Sequence, residues 1–218
     1  VKRFVVIGLG NFGSSAARFL TARGHDVIAV DSNPNSVDRV AAHVTRAVVV
    51  DGTNEDMLER VGVKGADAAI VSTGDDITAS VLATLALREL NVPKIYCKVI
   101  SHDHAKVMAR LGVNETIFPE HESAENLAMR LVSHSNIFNF VPIGQGFSIR
   151  EIRIPSAWVG STLMDLQTRQ RYKVNVVAIL DTVQSTVYAP PEPKMTLQSQ
   201  CTLVVIGKDE DLDNLTSS

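Results

Sequence analysis

From residue 1 to about residue 120, short apolar runs alternate with amphipathic stretches in a regular beat. Runs rich in Val, Ile and Ala near 3–8, 26–30, 46–50, 67–71, 94–99 and 115–118 are continuous in their hydrophobicity. Continuous runs of this length predict strands buried on both faces. The intervening stretches near 11–23, 34–42, 54–61, 76–91 and 103–111 carry apolar residues at helical spacing. Ser32-Asn33-Pro34 places a capping residue ahead of a proline at an early helical position. Thr53-Asn54-Glu55-Asp56 supplies caps and first-turn acids, which the positive end of the helix dipole favours. Gly24, Gly62 and Gly112 fall just past helices, where a left-handed residue is wanted. Strands alternating with helices predict an α/β fold, a Rossmann-like doubly wound parallel sheet of six strands.

The pattern then changes. From about Glu120 to Ser135 a helical repeat continues, with Leu127, Leu131 and Val132 on one side. No strand follows for it to return to, so it is expected to leave the first domain as a crossover helix. The proline and two glycines of Pro142 to Gly146 read as a boundary. Strands are expected near 147–154, 174–181, 185–189 and 201–206, with one helix near 162–171. Pro190-Pro191-Glu192-Pro193 makes a stiff turn that cannot sit inside a sheet. The expected organisation is a nucleotide-binding domain with its crossover helix over 1–135 and a smaller, β-rich α+β domain over 136–218. The second is small for an independent core, so self-association is expected to stabilise it.

Composition excludes several classes of function. The net charge of −3, with both signs interspersed, leaves no basic stripe for neutralising phosphates, so nucleic-acid binding is not expected. Cys97 and Cys201 each sit in an apolar run and read as reduced core thiols of a cytoplasmic protein. No apolar run approaches the roughly 18 residues that span a bilayer, and the opening apolar run reads as a strand rather than a leader. A soluble protein is expected, whose membrane association would need a partner that does the spanning.

Ile7-Gly8-Leu9-Gly10-Asn11-Phe12-Gly13 follows the first strand and opens the first helix. Gly8, Gly10 and Gly13 suit a tight turn, close approach to a pyrophosphate, and packing of helix on strand. The helix start, with Asn11 and Phe12, offers free N–H groups and a positive dipole end to phosphates. Asp31, followed by Ser32, ends the second strand. A carboxylate there accepts from both ribose hydroxyls of an adenosine and repels a 2′-phosphate, disfavouring NADP; it can also simply cap the next helix. Asp51-Gly52-Thr53, Ser72-Thr73-Gly74-Asp75, Lys98 and Pro119-Glu120 follow the other strands, so all point toward the edge where such sheets bind ligands. Asp51 to Thr53 suit the adenine edge, and Thr73 and Gly74 suit backbone approach to phosphate or ribose. Lys98 either supplies charge to phosphates or pairs with a neighbouring acid. Glu120 either shares a divalent cation with phosphate or is a solvated acid at a helix start.

Turnover has less support. The tyrosine–lysine pair of short-chain dehydrogenases would need lysine at 100, 176 or 192, after Tyr96, Tyr172 or Tyr188, where Ile100, Val176 and Glu192 stand. His102, His104 and His121 read as satisfied or solvated histidines, and no triad or metal-ligand spacing occurs. Binding without catalysis is expected; an NAD(H)-dependent oxidoreductase is the alternative.

These residues carry a family resemblance. The opening Phe4 to Gly13, Gly24 to Asp31, Ala79-Ser80 with Ala83-Thr84, Ile95 to Lys98, and Leu111-Gly112-Val113 leading into Ile117-Phe118-Pro119-Glu120 form one set. Ile149-Arg150-Glu151, Gly160 to Leu163 and Val176 to Ile179 form a second. The chain resembles the cytosolic regulatory subunits of bacterial Ktr/Trk potassium uptake systems, with an N-terminal RCK domain (regulator of K⁺ conductance) and a C-terminal companion. The resemblance implies a dimer-based octameric ring, docked peripherally on the cytoplasmic face of a membrane K⁺-translocating subunit. It implies gating by ATP and ADP, or by NAD and NADH in the Trk branch. Glycines 8, 10 and 13 would then meet phosphates, Asp31 ribose and Asp51 to Thr53 adenine. Lys98 and Glu120 would lie near the terminal phosphates, with Glu120 the carboxylate that takes Mg²⁺ or Ca²⁺ between subunits. Many Ktr-type members carry arginine where this chain has Asn11, which removes a charge-assisted bond to a γ-phosphate. Some companion domains bind cyclic di-AMP; Arg169, Tyr172 and Asn175 are the candidates here, or else the end of an amphipathic helix.

Overall fold

The computed structural model describes residues 1–132 and 137–216. Contacts divide the chain into two compact units, Val1–Glu120 and His121–Ser218. The expected domain junction at 135/136 lies outside the described residues.

The first unit runs β1 (Arg3–Ile7), α1 (Asn11–Ala22), β2 (Asp26–Asp31), α2 (Pro34–Ala41), β3 (Arg46–Val49), α3 (Glu55–Arg60) and β4 (Ala68–Val71). It continues with α4 (Ile77–Glu89), β5 (Ile95–Lys98), α5 (His102–Arg110) and β6 (Glu115–Ile117). The six strands form one parallel sheet in the order β3-β2-β1-β4-β5-β6, the doubly wound sheet that the apolar runs predict. The continuity of those runs has a direct cause. In β1, Val5 and Ile7 face a core shared with Leu58 of α3, Leu87 of α4 and Met108 of α5. Val6 faces the opposite core, with Ala17 of α1 and Val37 and Val40 of α2. Both faces are covered over Val5–Ile7, so these three positions are all apolar, while the exposed start of the strand takes Arg3.

Helix starts follow local chemistry. The side chains of Asn33, Asn54, Asp76 and Ser101 accept from backbone N–H groups in the first turns of α2, α3, α4 and α5, at 2.9, 3.0, 2.8 and 3.1 Å. Helix α1 differs: its N-cap is Gly10 and no side chain caps it. Cys97 and Cys201 are both buried and free, and burial pushes the Cys97 thiol up to about 11.

Helix α6 (Pro119–Val132) is followed by β7 (Ile137–Gly144), β8 (Phe147–Arg153), a 3₁₀ turn (Ser156–Trp158), α7 (Leu163–Leu166), α8 (Thr168–Arg171), β9 (Asn175–Asp181), β10 (Thr186–Tyr188), β11 (Cys201–Lys208) and α9 (Asp209–Thr216). The five strands form an antiparallel sheet in the order β10-β9-β11-β8-β7. Two expectations need correction. Pro142 to Gly146 is not a boundary: it ends β7 and turns into β8, with Gln145 and Gly146 at φ 53° and 75°. Positive φ at both positions suits a two-residue hairpin. The single helix expected near 162–171 is two short helices broken at Gln167, whose φ is 48°. The terminal helix α9 was not expected. It buries Leu212 and Leu215, and Asp209 and Asp213 pair with the buried guanidinium of Arg150 at 3.1 and 2.5 Å.

Candidate nucleotide-binding site

At the carboxyl edge of the parallel sheet, Ile7 is level with Val30 on β2 and Val71 on β4. Beside β1 the strand order reverses, and a cleft of about 370 Å³ opens there, where the doubly wound fold places its ligands.

The glycine loop forms one wall. Gly8 has φ +89°, and a Cβ there would lie 2.1 Å from the Ser72 carbonyl oxygen. At Gly13 a Cβ would lie 1.9 Å from the Gly8 carbonyl oxygen, so the start of α1 presses on the loop. Gly10 is different: a Cβ would meet nothing within 4 Å, because this glycine faces open space. Ser14 Oγ donates to the Leu9 carbonyl at 2.6 Å and ties helix to loop. The N-terminus of α1 thus lacks a side-chain cap, carries no first-turn acid and starts at a glycine lining the cleft. Unsatisfied N–H groups with a positive dipole end suit an anion.

Asp31 stands on the other side of the loop. Its Oδ2 accepts from Leu9 N at 2.7 Å and its Oδ1 from Asn33 N at 2.8 Å. Each oxygen keeps a further lone pair for another donor. The floor is formed by Asp51 to Thr53. Thr53 donates to Asp51 Oδ1 from both its backbone N and its hydroxyl, at 2.9 and 2.7 Å. These bonds, the hydroxyl's first, hold the Asp51 carboxyl below the usual carboxylate range. A Cβ at Gly52 would lie 2.3 Å from Ile7 Cγ2, so only glycine lets this loop lie against β1. The Thr73 hydroxyl is taken up by the Asp76 carbonyl of its own loop at 3.1 Å and by Ser80 Oγ of α4 at 2.7 Å. Thr73 and Gly74 can therefore meet a ligand mainly through backbone.

The cleft brings together Gly8, Gly10, Asp31, Ser32, Asp51, Gly52, Thr53, Thr73 and Gly74. Asn11, Phe12 and Gly13, in the first turn of α1, do not line it, and neither do Lys98 and Glu120. These last two pair with each other, Lys98 Nζ to Glu120 Oε1 at 2.6 Å, chiefly through a hydrogen bond that holds the Glu120 carboxyl below its usual range. Among the described residues no group of three or more His, Cys, Asp or Glu is placed to hold a metal. Glu120 is already engaged by the Lys98 ammonium group. Sequence reading placed Ser72 at this edge and missed the lining residues Asn33, Ser36 and Asp76. Asn33 and Asp76 are also helix caps, and their place just past strand ends was the signal available. In the second unit, Arg169 Nε donates to Asn175 Oδ1 at 2.5 Å, while Tyr172 packs edge-on against Trp158.

Comparison with known proteins places this geometry. Residues 4–119 match the TrkA-N domain family and residues 149–218 the TrkA-C domain family. The Ktr system potassium uptake proteins A and C of Bacillus subtilis (strain 168) are 33% and 35% identical to the chain, each over 97% of the chain and 94% of the relative. Among solved structures, the GsuK RCK domain superposes over 100% of the chain with a TM-score of 0.68 at 17% identity. The chain spans 48% of that structure's length, and the likeness is one of fold. The Kef C-terminal domain of Shewanella denitrificans, in its AMP-bound form, matches 61% of the chain and 83% of its own, with a TM-score of 0.53 and 27% identity.

Proposed function

The chain belongs to the Ktr/Trk family of potassium uptake proteins, and from that premise we propose that it is a nucleotide-sensing regulatory subunit, without catalytic turnover, that gates a membrane K⁺ transporter. One observation carries the nucleotide reading: the uncapped start of α1 at Gly10 and the carboxylate of Asp31 border one cleft at the edge of the sheet. The phosphates of the ligand lie on the α1 N-terminus, Asp31 takes the ribose hydroxyls, and Asp51 to Thr53 take the adenine edge.

Charge narrows the choice of ligand. Asp31, Asp51 and Asp76 line the cleft, and among the described residues no lysine or arginine does. With no cation lining the cleft among the described residues and Asn11 at the start of α1, little there offsets the terminal charge of ATP. This favours ADP, AMP or NAD over free ATP. A terminal phosphate long enough to reach Lys98 competes with Glu120 for its ammonium group, which gives the site a means of telling ligands apart. A ligand shifts the protein between two shapes only by the difference in its affinity for them.

No helix among the described residues is long and apolar enough to cross a membrane. Control of ion flux is assigned to assembly: dimers in an octameric ring on the cytoplasmic face of a membrane K⁺-translocating subunit. The naming of the Bacillus relatives as potassium uptake proteins supports this.

The test is thermal denaturation of nucleotide-stripped protein with ATP, ADP, AMP, NAD, NADH and NADP, each with and without Mg²⁺. A ligand at about 100 times its Kd stabilises the fold by about 2.7 kcal/mol. Stabilisation by ADP, AMP or NAD but not NADP is expected. No response to any adenosine ligand overturns the reading, and steady NADH consumption with a carbonyl substrate would make the chain an oxidoreductase instead.

A further inference from the structure

The C-terminal unit holds a second cleft, of about 460 Å³, between the 3₁₀ turn at Ser156–Trp158, the end of α8 and helix α9. Its volume falls in the range of small-molecule sites. One wall is aromatic: Trp158 and Tyr172 pack edge to face, with ring centroids 4.8 Å apart. Trp158 is 2% exposed and packs into the core of this unit, which fixes the wall in place.

Two cations stand beside this wall. Arg171 and Lys173 line the cleft, and neither forms an ion pair within the described residues. Lys173 sits just past α8 with φ +58°, the left-handed position where glycine is usual because a side chain is disfavoured there. The sequence therefore keeps a lysine where glycine would relax the backbone. Asp211 of α9 lines the same cleft and supplies one acceptor.

We propose that this cleft binds a small organic anion with an aromatic body. The ring lies against Trp158 and Tyr172, and its carboxylate or phosphate meets Arg171 and Lys173, a geometry in which planar guanidinium and mobile ammonium groups both serve. Asp211 accepts from an amino or hydroxyl group on the far side of the ring. The site shares no residue with the glycine-loop cleft, and neither Arg169 nor Asn175 lines it, so it stands or falls independently of the adenosine reading.

Trp158 is the chain's single tryptophan, so its emission reports this cleft directly. The full chain is titrated with phenyl phosphate, benzoate and inorganic phosphate. A saturable change with phenyl phosphate or benzoate, weaker by at least about tenfold with inorganic phosphate, is expected; the tighter of the two aromatic probes identifies the anionic group. The double variant Arg171→Gln/Lys173→Gln should lose about tenfold or more in affinity. Lys173→Gly should raise the melting temperature while weakening the probe, a combination that a purely structural lysine would not give. Asp31→Ala should leave the titration unchanged. A linear, non-saturating response to both aromatic probes, or equal affinity in the double variant, overturns the proposal.

Discussion

The backbone N–H of Leu9 donates to the carboxylate of Asp31 across 2.7 Å, so one acid both braces the glycine loop and borders the ligand cleft. The two roles separate by substitution. Asp31→Asn keeps an acceptor for Leu9 and should hold most of the stability. Asp31→Ala should cost about 1–3 kcal/mol in urea unfolding, as expected when a bond to a charged group is removed. Both variants should lose the thermal stabilisation given by adenosine ligands; retention of full stabilisation in Asp31→Ala would remove this residue from the site.

Gly10 and Gly13 have opposite surroundings. Gly10→Ala adds a methyl group to open space at φ −65°, so unfolding should change by no more than about 0.5 kcal/mol while nucleotide affinity falls. Gly13→Ala drives a methyl group onto the Gly8 carbonyl and should cost about 1–3 kcal/mol. Calorimetric binding measured beside urea unfolding distinguishes the two; a Gly10→Ala protein that binds as well as the parent would show that phosphates do not approach there.

Restoring a cation at the start of α1 should change ligand choice. Asn11→Arg places a guanidinium within the first turn, where a charge-assisted bond to a terminal phosphate becomes available. The ratio of ATP to ADP affinity, measured by calorimetry, should rise by about tenfold, or about 1.4 kcal/mol. An unchanged ratio would place the terminal phosphate away from residue 11.

The Lys98–Glu120 pair gives a pH dependence of definite sign. The Glu120 carboxyl is lowered in the folded chain, so its stabilisation is present above the ordinary carboxylate value and is lost as pH falls through the folded one. Glu120 is largely exposed, which keeps the effect below about 1 kcal/mol. Lys98→Met should therefore melt slightly below the parent at neutral pH, with the difference vanishing as pH falls through the lowered Glu120 value. A difference that persists in acid would mean that Lys98 acts through packing.

Much of this molecule was legible from local pattern. Continuous apolar runs predicted strands covered on both faces, and Asn33 and Asn54 marked helix starts through bonds made within three residues of themselves. The glycine spacing likewise announced a loop that has no room for side chains at Gly8 and Gly13. These are short-range effects, written in neighbouring residues.

Where the reading failed, the deciding partner lay far along the chain. Pro142 and Gly144 looked like breakers, yet β7 is an edge strand, and an edge tolerates proline because one side of its backbone needs no donor. Helix α9 went unread because its anchor lies far along the chain: Arg150, buried at 2% exposure, pairs with Asp209 and Asp213. Lys98 had two open roles, and its pairing with Glu120 followed from two strands lying side by side in the sheet. The sequence determined which segments become strands and helices, because propensity, capping and burial periodicity act locally. The tertiary structure decided which charges meet and which glycine faces open space, because those depend on distances that no local pattern encodes.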